Sequence, residues 1–91
     1  MAKAWTDPKD PEEVLDYLVD WAKPLAGDTI QSSTWTLPDG IIAGQMANTT
    51  TTTTIWLSGG THGKDYKLVN RIVTAGGRTR EQTCTLKCRT K

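Results

Sequence analysis

The sequence predicts an all-β fold, and three observations carry that expectation. Apolar residues recur at every second position in the last third, where Tyr66, Leu68 and Ile72 alternate with Lys67, Val69 and Arg71. Turn-forming residues divide the chain at short intervals: Gly27-Asp28, Pro38-Asp39-Gly40, Gly59-Gly60 and Gly76-Gly77. The run of six threonines, Thr49 to Thr54, leads without a break into Ile55-Trp56-Leu57. Threonine is β-branched, poor in helices and well suited to a pleated, half-wet surface. Disordered linkers favour Gly, Ser, Pro and charge instead. A strand with a loop over its first two or three threonines is preferred here to a flexible spacer.

In chain order, residues 1–12 form a polar N-terminal tail broken by Pro8 and Pro11. Asp10 and Pro11 suit an N-cap and first helical position, with Glu12 and Glu13 opening a turn. Residues 13–91 form the domain. Leu15, Tyr17, Val19 and Trp21 alternate with Asp16, Leu18 and Asp20, the period of a half-buried strand. A helix competes there, because Val14, Leu15, Leu18 and Trp21 also recur at helical spacing, but the Tyr-x-Val-x-Trp alternation favours the strand.

A second strand runs through TIQSSTWTLP, with Trp35 facing inward. Ile30 and Trp35 differ in parity, so one end faces the other way or a bulge intervenes. A short third strand surrounds Ile41 and Ile42. In the fourth, Thr53, Ile55 and Leu57 point inward and Thr52, Thr54 and Trp56 outward, with Trp56 on an edge strand. The last two strands form a long hairpin around Ala75-Gly76-Gly77-Arg78, the second returning Cys84, Leu86 and Cys88 on one face. Asn70 falls on the buried face and needs a hydrogen-bond partner or a bulge.

Six to seven short strands joined by tight turns fit an immunoglobulin-like antiparallel β-sandwich. LSGGTHGKDY adds a tyrosine corner, in which the Tyr66 phenol bonds the corner backbone while its ring enters the core. The expected core is Tyr17, Val19, Trp21, Trp35, Leu57, Tyr66, Leu68, Ile72, Cys84 and Leu86.

Composition narrows function by exclusion. Ninety-one residues make one domain, and the net charge is +1 with basic residues scattered, so no nucleic-acid stripe is expected. No apolar run reaches the roughly 20 residues of a membrane span, and the N-terminus lacks a signal-peptide apolar region. A cytosolic protein without a membrane partner is expected. Cys84 and Cys88, four apart on one strand, lie about 13 Å from each other at ~3.3 Å per residue, too far to pair. Both read as small buried hydrophobes, and with His62 as the single histidine a zinc site is not expected.

His62 reads as a solvated loop residue. Asp7, Asp10, Glu12 and Glu13 read as a solvated tail, and Asp16 and Asp20 as surface charges that discourage aggregation. No nucleophile elbow, phosphate loop or paired-His motif occurs, so neither catalysis, a cofactor nor a small-molecule substrate is expected. Asn48-Thr49-Thr50 matches a glycosylation sequon that a cytosolic protein would not use.

Several pieces carry a resemblance: Asp20-Trp21, Ser33-Thr34-Trp35, Trp56-Leu57-Ser58-Gly59-Gly60, and Asn70-Arg71 with the following Gly-Gly-Arg turn. From about Lys9 to the C-terminus the chain resembles small bacteriophage and prophage proteins of immunoglobulin-like or fibronectin-type fold, some described as fibre–tail adaptors. The six threonines and the cysteine pair depart from that pattern. The resemblance implies a non-enzymatic, virion-associated assembly or adaptor module of the tail or head–tail region. It would be made in the host bacterial cytoplasm and bind other phage structural proteins. Trp56 and Trp5 are the candidate contact residues, since exposed Trp is a common interface anchor. A host-surface or glycan-binding module, stacking sugars on exposed indoles, is the alternative.

Overall fold

The computed structural model describes residues 2–5 and 8–91. Among these residues seven strands, β1 (Ala2–Ala4), β2 (Leu15–Asp20), β3 (Ile30–Thr36), β4 (Ile41–Asn48), β5 (Thr52–Gly59), β6 (Asp65–Thr74) and β7 (Thr79–Lys87), accompany one helical turn, α1 (Ala22–Leu25). They form two sheets, a four-stranded one in the order β1-β7-β6-β3 and a three-stranded one in the order β2-β5-β4. Counted from β2, the strands divide between sheets as B, E, D and C, F, G do in immunoglobulin constant-type sandwiches. The sandwich is not antiparallel throughout, because β1 pairs with β7 in parallel.

Alternation builds the interior. Tyr17 and Val19 on β2, Ile55 and Leu57 on β5, Leu68 and Ile72 on β6, and Cys84 and Leu86 on β7 meet between the sheets. Trp21 is buried just beyond β2, Tyr66 is buried at the start of β6, and the half-buried Trp35 packs against this cluster. Each side chain of this size removed from water stabilises by roughly 1.5–3 kcal/mol. The parity conflict in β3 is resolved by a register shift between Ile30 and Ser32, which lets Ile30 and Trp35 both face in. The threonine run divides as its chemistry suggests. Thr49–Thr51 form a loop, in which the Thr49 hydroxyl accepts the Thr51 and Thr52 N–H groups at 3.2 and 3.0 Å, and β5 begins at Thr52.

Tyr66 makes the corner, its phenol oxygen accepting the Thr61 N–H at 2.9 Å. Positive φ at Gly59 and Gly60 turns the chain there, and Gly60 has no room for a side chain because a Cβ would stand 2.8 Å from Cys88 Sγ.

Asn70 is buried at zero exposure and fully bonded. Its Oδ1 accepts the Trp21 indole N–H at 2.9 Å and the Thr53 hydroxyl at 2.7 Å. Its Nδ2 donates to Ser33 Oγ at 2.9 Å and Thr34 O at 3.1 Å. These four bonds use the whole capacity of an amide side chain and tie the two sheets together.

The N-terminal segment is not a free tail. Where residues 1–12 were expected to stand apart from the domain, β1 extends the four-stranded sheet and Lys9 is at zero exposure, in a bridge with Cys88. The Lys9 ammonium donates to Gly59 O at 2.6 Å, Asp10 O at 2.9 Å and Pro11 O at 3.4 Å. A buried ammonium is tolerated when carbonyls take its three protons, and local sequence does not reveal that such carbonyls converge.

Candidate protein-contact surfaces

The outward positions of the two sheets differ in chemistry. On the four-stranded sheet they carry Lys67, Arg71 and Lys87 among Thr34, Thr36, Thr83 and Thr85, with the half-buried Val69 and Val73 between them and opposite charge from Glu81. On the three-stranded sheet Leu18, Ile42 and Trp56 point outward and are exposed, and Val14, one residue before β2, is 59% exposed. Trp56 lies opposite Asp16, Leu18 opposite Thr54, and Ile42 opposite Ser58, so the apolar side chains are diagonal neighbours across all three strands. Gly44 lies beside Trp56, where a Cβ would sit 3.4 Å from the Trp56 Cβ. The result is an apolar patch centred on Trp56 and flanked on β2 by the exposed carboxylates Asp16 and Asp20.

Trp56 is outward as expected, but it does not lie on an edge. Strand β5 is the middle strand of its sheet. That order depends on pairings with β2 and β4 that are distant in sequence, so periodicity within β5 cannot reveal it. A central position surrounds the indole with other apolar groups instead of leaving it on a rim.

Trp5 is a correction. It is 8% exposed, its ring centroid stands 4.6 Å from that of Tyr17 and 6.3 Å from that of Trp35, and its indole N–H donates to Leu18 O at 3.3 Å. The ring fills the space between the sheets and caps a carbonyl of the edge strand β2, so it is not a surface contact. With Trp21 also buried, Trp56 is the exposed tryptophan of the four.

His62, Asp10, Glu13 and Asp28 each have hydrogen-bond partners in the fold. His62 is exposed, and its Nδ1 accepts the Thr90 N–H at 2.8 Å. Asp10 titrates below its ordinary value because the Lys91 and Glu12 N–H groups bond it, and Glu13 does so chiefly through Lys91. Asp7 lies outside the described residues. Asp28 is brought to about 2, first by the Thr74 hydroxyl, then by the Thr29 and Gly76 N–H groups and Arg78. It bonds Gly76 N at 3.1 Å and Arg78 at 3.1 Å, locking the loop before β3 to the β6–β7 turn. Among the described residues no group of three or more His, Cys, Asp or Glu could hold a metal ion. Cys84 and Cys88 are both buried and not joined in a disulfide.

A closed β-sandwich with one apolar outer face defines a small binding or structural module. The family model for podophage GP4 fibre-tail adaptor protein gp77 matches residues 9–87, nearly the whole sandwich, and the chain belongs to that family of phage tail structural proteins. The match begins at Lys9, the buried lysine that ties the N-terminal segment to the corner. No curated protein matches the chain.

Proposed function

We propose that this domain is a non-enzymatic adaptor in a bacteriophage tail, docking to a tail or fibre protein through the outer face of β2, β5 and β4. The observation that carries this reading is the exposed Trp56, Leu18 and Ile42 patch on a sheet whose opposite face is already filled. Contiguous apolar surface on a small domain marks a contact site, and tryptophan is enriched among the residues that dominate such contacts. The family supports tail and fibre proteins as the partners. The domain is made in the host cytoplasm and becomes part of the virion.

Glycan adhesion would have to use Trp56 alone, since Trp5 and Trp21 are inside and Trp35 is half-buried. A platform of several stacked indoles is not formed.

The test is assembly. Particles from a strain lacking the gene should have tails without fibres, and the purified chain should co-sediment with those tails. Fibre-bearing, infectious particles from the deletion strain would reject the adaptor role.

A further inference from the structure

The face around Trp56 carries charge of one sign. Strands β2, β4 and β5 contain the carboxylates Asp16 and Asp20 and no Lys, Arg or His. On the opposite sheet β6 and β7 carry Lys67, Arg71, Arg80 and Lys87 against Asp65 and Glu81. The chain as a whole has a net charge of +1, so the acidity of the three-stranded sheet is a local property.

Asp16 and Trp56 are register partners in the antiparallel β2–β5 pair, both exposed and on the same side. Cβ atoms so placed stand about 4.5–5.5 Å apart. The Asp16 carboxylate makes no hydrogen bond or ion pair among the described residues. Asp20, by contrast, already accepts the Ala22 N–H at 2.9 Å. Gly44, on the β4 side of Trp56, adds no side chain to crowd the indole. A free carboxylate beside an exposed indole suits one side chain above others. A guanidinium is planar, so it can lie on an aromatic face while its N–H groups reach a carboxylate. An ammonium is a compact, strongly hydrated charge and fits apolar surroundings less well.

We propose that the partner of this face presents a cationic side chain, arginine by its geometry, that stacks on Trp56 and pairs with Asp16. Leu18 and Ile42 meet apolar groups around that cation and keep water from the pair. A second copy of this chain does not fit. Two copies meeting face to face here would bring their Asp16 and Asp20 carboxylates together with no cation from these strands between them, and like charges across an interface are costly. The outer face of β6 and β7 offers cations, but among the described residues none of its large hydrophobic side chains is fully exposed to match Trp56, Leu18 and Ile42. The inference rests on the adaptor reading for the place of contact and adds the chemistry of what is met there.

The test is co-sedimentation of the full chain with purified tails from the deletion strain, at low and high salt, beside sedimentation of the chain alone. Asp16→Asn should weaken binding at low salt by about tenfold and flatten its salt dependence, and Asp16→Lys should weaken it further. Both variants should melt as wild type does, since the carboxylate is exposed and unbonded within the fold. If Asp16→Lys does not fold, Asp16→Asn decides. In a Trp56→Leu background Asp16→Asn should cost less than in wild type, because the two side chains hold one cation. Additive losses would overturn that shared contact. Binding lost in Trp56→Thr but unaffected by either Asp16 substitution would also overturn it, and would leave the docking face standing. Undiminished binding in Trp56→Thr would remove the docking face and the cation contact with it. A dimer of the chain alone that Asp16→Asn strengthens would overturn the proposal by seating a second copy on the face.

Discussion

Asn70 and Trp56 break the pattern of apolar inside and polar outside in opposite senses, and the fold treats them differently. Asn70 is a polar group in the interior, and four hydrogen bonds from both sheets satisfy it completely. Trp56 is a large apolar group on the exterior, and it remains 39% exposed among other apolar side chains. An anomaly that the fold satisfies is structural. An anomaly that the fold leaves open calls for something outside the chain. The two positions therefore separate what holds this protein together from the face proposed for docking.

Substitutions should move stability and binding independently, and the largest effect is expected at Asn70. Asn70→Leu strands the Trp21 indole N–H and the Thr53 hydroxyl in the core. A loss of about 2–4 kcal/mol is expected, seen as a lower urea midpoint. A change under ~1 kcal/mol would mean the clamp is dispensable.

Lys9 gives a second inside test. Lys9→Met keeps the stem's packing but removes the donor to Gly59 O, Asp10 O and Pro11 O, so about 1–3 kcal/mol should be lost in the same titration. Hydrogen exchange should report the loss first at the Gly59–Gly60 corner.

Asp28 sharpens the comparison through pH. Its carboxyl titrates at about 2 in the fold against 3.8 in an unfolded chain. Its ionised form thus favours the fold at all pH values above 3.8, and that contribution disappears as pH falls through about 2. Thermal melting should fall less between pH 4 and pH 2 in Asp28→Asn than in wild type. Equal falls would show that the carboxylate does not couple the two loops.

The smallest stability effect belongs to Trp56. Trp56→Thr on the outer face should stay within ~0.5 kcal/mol of wild type.

Much of the inner layer was legible because alternation is local. Thr53, Ile55 and Leu57 had to share a face, and the parity conflict between Ile30 and Trp35 required the bulge that β3 contains. The Tyr66 corner was readable from a glycine-rich corner followed by a tyrosine at a strand start. What sequence missed depends on long-range pairing. Strand β1 has three residues, too few to show a period, and its partner is at the other end of the chain. Trp5 and Lys9 follow it into burial for the same reason. The central place of Trp56 was hidden likewise, since strand order follows from which sheet each hairpin joins. The Trp56 face, the proposed contact site, was half visible as an outward indole.

Co-sedimentation of Trp56→Thr with purified tails, at a concentration where wild type is half bound, tests the central claim most directly. Binding reduced at least tenfold, with the melting temperature unchanged, is the expected result. Undiminished binding by a folded variant would contradict it, and the outer face of the three-stranded sheet would then not be the docking surface.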